Sequence, residues 1–231
     1  MVQEIEFAYH ELENALGGKP NVVFKVPGTA ASIEAVKRVT AEGIGVNITV
    51  NFSVSQCQYF ADAIEGGIAD RSFVTIMAGR LDTPVAEELR GAGVEHASEI
   101  SRNASKLVMK RVYEQLLLKK PYQRVAMLVA SLRGPWNVDA AIAYDPRQKI
   151  VVSAFPDKAA DYNALGRGGI HSAMREDVDM EIVHQLGKSA IFHAAYDFDA
   201  MRPEQFAQYA PAAATLQGFI SVYDELLEYM R

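Results

Sequence analysis

Cysteine is nearly absent from this chain: Cys57 stands alone among 231 residues. A single cysteine excludes an internal disulfide framework and fits a reducing, cytoplasmic setting. Also missing is any apolar run approaching a transmembrane span, and the opening residues lack the basic-then-apolar layout of a secretory signal. Basic residues are not in excess either. A formal net charge of -6 argues against a nucleic-acid partner, and a pair such as Lys119-Lys120 reads as a helix C-terminus. His10, His96, His171, His184 and His193 have no ligand spacing and lie far from Cys57 in sequence, so no metal and no cofactor is expected. The glycine-rich stretch Gly166-Arg167-Gly168-Gly169 lacks the lysine and spacing of a nucleotide-binding loop and reads as a turn. There is no repeat and no low-complexity tract. With 49% hydrophobic and 23% charged residues, the chain reads as one ordinary globular domain over 1–231. Cys57, on the helical run Val54–Ile64, is by default a small buried hydrophobe.

What is present begins with Lys25. The run Val22-Val23-Phe24-Lys25-Val26 is apolar and β-branched, reads as a short buried strand, and stops at Pro27-Gly28. Burying an ammonium without a partner is costly. A desolvated amine can shed its proton, and a neutral amine is a nucleophile that condenses with carbonyls. The ordinary alternative is a lysine snorkelling at a strand end or paired with a carboxylate.

The next strand sharpens the choice. In Gly45-Val46-Asn47-Ile48-Thr49-Val50-Asn51-Phe52, Val46, Ile48 and Val50 face one way, and Asn47, Thr49 and Asn51 the other. Between the two strands, Ile33, Val36 and Val39 recur at helical spacing, with Thr29 as a cap and Gly43 as a stop. Strand, helix and strand in that order imply a parallel crossover, hence an α/β fold with the helix on one sheet face. The polar residues of the second strand then face a cavity. Lys25 falls near the C-terminal end of its strand, where α/β barrels build their sites.

Phe24-Lys25-Val26-Pro27-Gly28-Thr29, followed by Glu42-Gly43-Ile44-Gly45-Val46-Asn47-Ile48-Thr49-Val50-Asn51-Phe52-Ser53, resembles the core signature of the transaldolases, a lysine in "KxPxT" followed by "EGIxxNxTLxFS". Ser72 to Arg80 is similar to that family's "SPFVGR" strand, Arg80-Leu81-Asp82 to its "RxD", and Val129-Ala130-Ser131-Leu132-Arg133 to its "GASFR". The resemblance implies a class I Schiff-base enzyme on a (β/α)8 barrel of the TIM type. It implies Lys25 as the Schiff-base lysine and Thr49 as a catalytic partner that orients a proton-shuttling water. Asn47 would bind a substrate hydroxyl, and Arg80, Ser131 and Arg133 the substrate phosphate, a role suited to the fixed donor forks of guanidinium. Taken singly, Arg80 and Arg133 are ordinary surface cations. Thr75 and Met77 depart from the family's serine and phenylalanine, and Gly134 from its asparagine.

The resemblance also implies a shortfall. The family's lysine lies on the fourth barrel strand, yet only one amphipathic helix, Glu4 to Leu16 closed by Gly17-Gly18, precedes it here. Five strand candidates follow: Val22–Val26, Val46–Phe52, Phe73–Ala78, Val125–Ser131 and Ile150–Phe155. The expected architecture is therefore a barrel truncated to the family's strands 4–8 plus C-terminal helices. The strands that carry the family's catalytic aspartate, an asparagine and a glutamate have no counterpart. Asp62, Glu65, Asp70 and Asp82 read as solvated helix-end charges, with Asp82 the nearest stand-in for that aspartate. Helices are expected from Thr83-Pro84, with proline at the first position, from Ser98 to Lys119 before Pro121, and from Pro135 to Ile142. Further helices should run over Asp157–Leu165 and Glu176–Leu186, and a C-terminal extension over 203–231, bent or interrupted at Pro211. The apolar outer strands predict self-association into a homo-oligomer, with the first helix covering an edge. Two functions stay open: transaldolase-like transfer between sugar phosphates in the pentose phosphate pathway, or a catalytically impaired relative that binds sugar phosphate or serves assembly.

Overall fold

Apolar, β-branched runs alternating with runs of helical period produce the observed order. The computed structural model describes residues 1–120, 122–143, 149–166 and 171–231. Helix α1 (Val2–Leu16) leads to β1 (Val23–Pro27), α2 (Ala30–Ala41), β2 (Gly45–Thr49), α3 (Val54–Glu65), β3 (Ser72–Met77) and α4 (Ala78–Gly91). Next come α5 (Ala97–Ile100), α6 (Arg102–Arg111) with a π-helical continuation (Val112–Leu118), β4 (Val125–Ala130), α7 (Pro135–Ala141) and β5 (Ile150–Val152). Helices α8 (Pro156–Asn163), α9 (Met180–Leu186), α10 (Ala190–Tyr196) and α11 (Ala210–Tyr229) follow.

The strands form one parallel sheet in chain order, β1-β2-β3-β4-β5. This is an α/β fold in which each strand sits beside the next, consistent with the consecutive strands of a TIM-type barrel. On the helix-covered face, Val26, Val46, Ile48, Val74, Ile76, Met127 and Val129 are buried and join a core with Val36, Phe60, Leu81 and Val108. Cys57 is buried there as well, and burial pushes its thiol up to about 12 while Asn51 Nδ2 donates to its Sγ at 3.3 Å.

Several expectations need correction. The strand Val22–Val26 is buried fully only at Val26: β1 lies at one end of the described sheet, Val23 is 40% exposed, and Lys25 is exposed too. A strand of parallel-sheet composition is buried only if helices and a neighbour strand cover it. At the other end β5 is shorter than read, Ile150–Val152. Helix α1 lies on α2, where Ile5 and Tyr9 are buried and Glu6 pairs with Arg38 at 3.8 Å. Helix α4 begins at Ala78, directly out of β3, so Pro84 falls inside it; there Thr83 Oγ1 donates to the Gly79 carbonyl at 3.0 Å. The span from Ser98 to Lys119 is broken at Ser101 and loosened into π turns, although Ala104, Leu107, Val108 and Val112 form the expected buried stripe. Pro211 does not bend α11 but opens it, at a position whose missing N–H has no intrahelical partner to lose. The segment 176–186 is helical only from Met180, capped by Asp179, and α10, capped by Ser189, was not anticipated. Gly166 turns left-handed (φ 59°); Arg167 to Gly169 and Pro121 lie outside the described residues.

Candidate active site

The site is assembled at the C-terminal ends of the strands. In the parallel register Lys25 of β1 sits opposite Asn47 of β2, and Pro27 opposite Thr49, so Lys25, Asn47 and Thr49 share the face away from the helices. Thr75 of β3 donates to Asn47 Oδ1 at 2.6 Å, which orients the amide and leaves its Nδ2 hydrogens for the cavity. Thr49 Oγ1 reaches the Val26 carbonyl at 3.4 Å. Buried Gln56 locks the loops above β1 and β2: its Nε2 donates to the carbonyls of Gly28 (2.9 Å) and Val50 (3.1 Å), and its Oε1 accepts from Phe52 N–H (3.0 Å). Val50, just past β2, is held at φ 54°, and Ser131, just past β4, at φ 59°.

The two arginines arrive from neighbouring strand ends. Arg80 lies in the first turn of α4, and Arg133 follows Ser131 in the β4–α7 loop. The loop is pinned twice: Gly79 N–H donates to the Ser131 carbonyl at 3.1 Å, and Arg133 N–H to Asn137 Oδ1 at 2.9 Å. Gly79 admits no side chain, because a Cβ there would fall 2.6 Å from the Ser131 carbonyl and 2.3 Å from Arg133 Cγ.

Sequence reasoning missed the contribution of α11. Its Thr215 accepts from Arg80 Nη1 at 3.4 Å, and its Phe219 ring centroid lies 5.6 Å from both Lys25 Nζ and Arg80 Cζ, within cation–π range. Only the C-terminal helical extension implied by the family resemblance hinted at it, and that does not say which residue reaches which strand. Lys25, Asn47, Thr49, Thr75, Arg80, Ser131 and Arg133, with Met77, Ser153, Phe155 and Phe219 among others, line one cavity of about 480 Å³. Among the described residues its lining holds the Lys25 amine, the guanidiniums of Arg80 and Arg133 and no carboxylate, an arrangement suited to an anionic ligand of ordinary metabolite size.

The family of Transaldolase/Fructose-6-phosphate aldolase matches residues 4–148, more than half of the chain and the segment that builds most of this cavity. The chain belongs to the transaldolase/fructose-6-phosphate aldolase family. It is 31% identical over 131 residues to the transaldolase of Thiobacillus denitrificans, an alignment covering 52% of this chain and 36% of that one. It is 41% identical over 63 residues to a probable transaldolase of Dehalococcoides mccartyi, covering 27% and 26%. With the transaldolase of Arthrobacter sp. it shares 23% identity over 167 residues, covering 62% and 45%. The chain spans less than half the length of these curated relatives.

All six residues that the transaldolase resemblance singled out therefore meet around one cavity. The acidic residues do not join them. Asn51, expected on the cavity face, is fully buried beside Cys57, because the left-handed turn at Val50 ends the strand before it. Asp82 is not a solvated helix-end charge: it is 6% exposed and accepts from Ser105 N–H (3.0 Å), Ser105 Oγ (3.1 Å) and Asn137 Nδ2 (3.2 Å). Burial pushes its carboxyl up to about 7, while the bonds from Ser105 and Asn137 hold it back. Asp62 accepts from the Tyr122 hydroxyl, Glu65 caps the backbone N–H groups of Gln123 and Arg124 at 2.8 and 2.9 Å, and Asp70 pairs with Lys19. Among the described residues no group of three or more His, Cys, Asp or Glu is placed to hold a metal, and no helix is long and apolar enough to cross a membrane.

Proposed function

We propose that the chain uses Lys25 to form a Schiff base with a ketose phosphate and moves a three-carbon dihydroxyacetone unit between sugar phosphates. The observation that carries this reading is the convergence of a strand-end amine, an amide, a hydroxyl and two guanidiniums on one cavity. The phosphate sits between Arg80, Arg133 and Ser131, which leaves the carbonyl carbon for the Lys25 amine. The unprotonated amine adds to that carbon, and loss of water gives an iminium. The C3–C4 bond then breaks, its electron pair moves into the iminium to form an enamine, and the C4 hydroxyl proton passes to water held at Thr49. The aldose phosphate leaves. The enamine carbon next attacks the aldehyde of an acceptor aldose phosphate, whose oxygen takes up a proton, and hydrolysis of the new iminium frees the amine. Asn47 steadies a substrate hydroxyl throughout. The setting this reading implies is the pentose phosphate pathway in the cytoplasm. Exposed Val23 and Val151 on the outer strands support the expected self-association.

A second reading, a relative that captures sugar phosphate with little turnover, is favoured by the lack of a carboxylate among the described lining residues. General acid–base help is typically worth ~10²–10⁴-fold, and none of those described residues is a carboxylate that could supply it. Trapping decides between them. With fructose 6-phosphate and borohydride, one adduct should form on Lys25 and none in Lys25→Ala. An adduct accompanied by transfer in a coupled assay means a transferase, and an adduct without transfer means the second reading. Labelling spread over surface lysines and indifferent to Lys25→Ala overturns both.

A further inference from the structure

The buried cluster behind the site is not used by the chemistry above, yet it reaches the phosphate loop through an unbroken chain of hydrogen bonds. Asp82 stands two residues after Arg80 on α4, and Asn137 four residues after Arg133 on α7. Both are shut away from solvent, as is Ser105 of α6, which donates to both carboxylate oxygens of Asp82. The Oδ2 atom of Asp82 also accepts from Asn137 Nδ2 at 3.2 Å. The Asn137 amide is fixed from both ends: the Arg133 N–H can only donate and so demands Oδ1, which turns Nδ2 to the Asp82 carboxylate. With Nδ2 committed to Asp82, Oδ1 is turned to the loop, where it accepts the Arg133 N–H at 2.9 Å.

We infer that Asp82 is a positioning residue for the phosphate site: through the amide of Asn137 it sets the backbone, and thereby the guanidinium, of Arg133. The carboxylate shares its helix with Arg80 and holds the loop of Arg133, so one buried group keeps the two cations in register. Buried polar pairs of this kind are satisfied in one polarity only. In Asp82→Asn the new Nδ2 meets the Nδ2 of Asn137. The Asn137 amide must turn over, and it then presents a donor to the Arg133 N–H. In Asn137→Asp two carboxyls face each other and share a proton, and the oxygen turned to the loop still accepts the Arg133 N–H, so the break in polarity falls on Asp82→Asn. Exchanging the two residues, Asp82→Asn with Asn137→Asp, restores the polarity: the amide at 82 donates to the carboxylate at 137, whose other oxygen accepts from Arg133.

The inference rests on the sugar-phosphate reading for the identity of the ligand, so the test has an arm without ligand. Exchange of the Arg133 amide proton, followed by NMR, should quicken at least about tenfold in Asp82→Asn, as expected when a buried bond worth roughly 1.4 kcal/mol is lost, and return towards the parent rate in the exchanged pair. In the ligand arm, half-saturation for borohydride trapping of fructose 6-phosphate should rise about tenfold in Asp82→Asn and recover in the pair, while that for dihydroxyacetone stays put. Recovered amide protection with no trapping by any form leaves the relay standing and defeats the sugar-phosphate reading alone. If Asp82→Asn does not fold, the exchanged pair still carries the test. A pair that fails to fold, or folds with the Arg133 amide still fast, overturns the relay, and so does an Asp82→Asn variant identical to the parent.

Discussion

Strands β2 to β4 and strands β1 and β5 are made from the same apolar, β-branched residues. Yet Val46, Ile48, Val74 and Ile76 are sealed from solvent, while Val23 is 40% and Val151 36% exposed. The difference teaches that composition makes a strand and neighbours make it buried. It also separates two duties. The centre of the sheet carries the fold, and one outer strand carries Lys25, so the amine of the proposed chemistry lies at an exposed rim rather than in a dry core.

The hardest test of that division is to shorten one side chain in each region. Ile76→Ala, in the centre, should cost about 2–5 kcal/mol in urea unfolding, whereas Val23→Ala should cost about 0.5 kcal/mol or less. Equal costs would mean that β1 is covered in solution and the contrast between centre and edge is false. A smaller effect separates the buried charge behind the centre from the exposed one at the rim. The Asp82 carboxyl is raised in the folded state, to about 7, above its unfolded value. A raised pKa contributes stability at low pH that disappears as pH climbs through it. Stability should therefore fall by about 1.4 kcal/mol for each pH unit between about 4 and about 7 from this group alone. Asp82→Asn should flatten that slope in denaturation series, and an unchanged slope would remove Asp82 as its source. The smallest test compares two helix starts. Ser53, after β2, accepts from Gln56 N–H at 3.1 Å, while Thr29, after β1, has its hydroxyl engaged only with Ser32 Oγ at 3.1 Å. Ser53→Ala should cost about 1 kcal/mol and Thr29→Ala less. The reverse order would show the edge better tied than the centre.

Much of this was readable beforehand. Alternation in Val46 to Thr49, a helical stretch before it and Lys25 at a strand end were enough for a parallel sheet with Asn47 and Thr49 beside the lysine. Exposure of Lys25 was not readable, since it depends on what lies next to β1 rather than on β1. Asp82 looked like any early-helix acid; its burial is set by Ser105 and Asn137, 23 and 55 residues away. Thr215 reaches Arg80 across 135 residues, a separation on which helical periodicity is silent. Local rules also erred where two applied at once. Pro84 and Pro211 each signal a helix start or a break, and only the strand leading straight into α4 decides the first case.

Val50 and Ser131 turn left-handed at the two places where β2 and β4 hand over to the site loops. For residues other than glycine that conformation costs roughly 1–2 kcal/mol, and a β-branched valine suffers most. The loops that aim Thr49 and Arg133 are thus held under tension, and the helices packed behind them supply the restoring grip. Glycine at position 50 would slacken the tension and at the same moment loosen the aim. In this molecule thermal robustness and accuracy of the site pull on the same two hinges, in opposite directions.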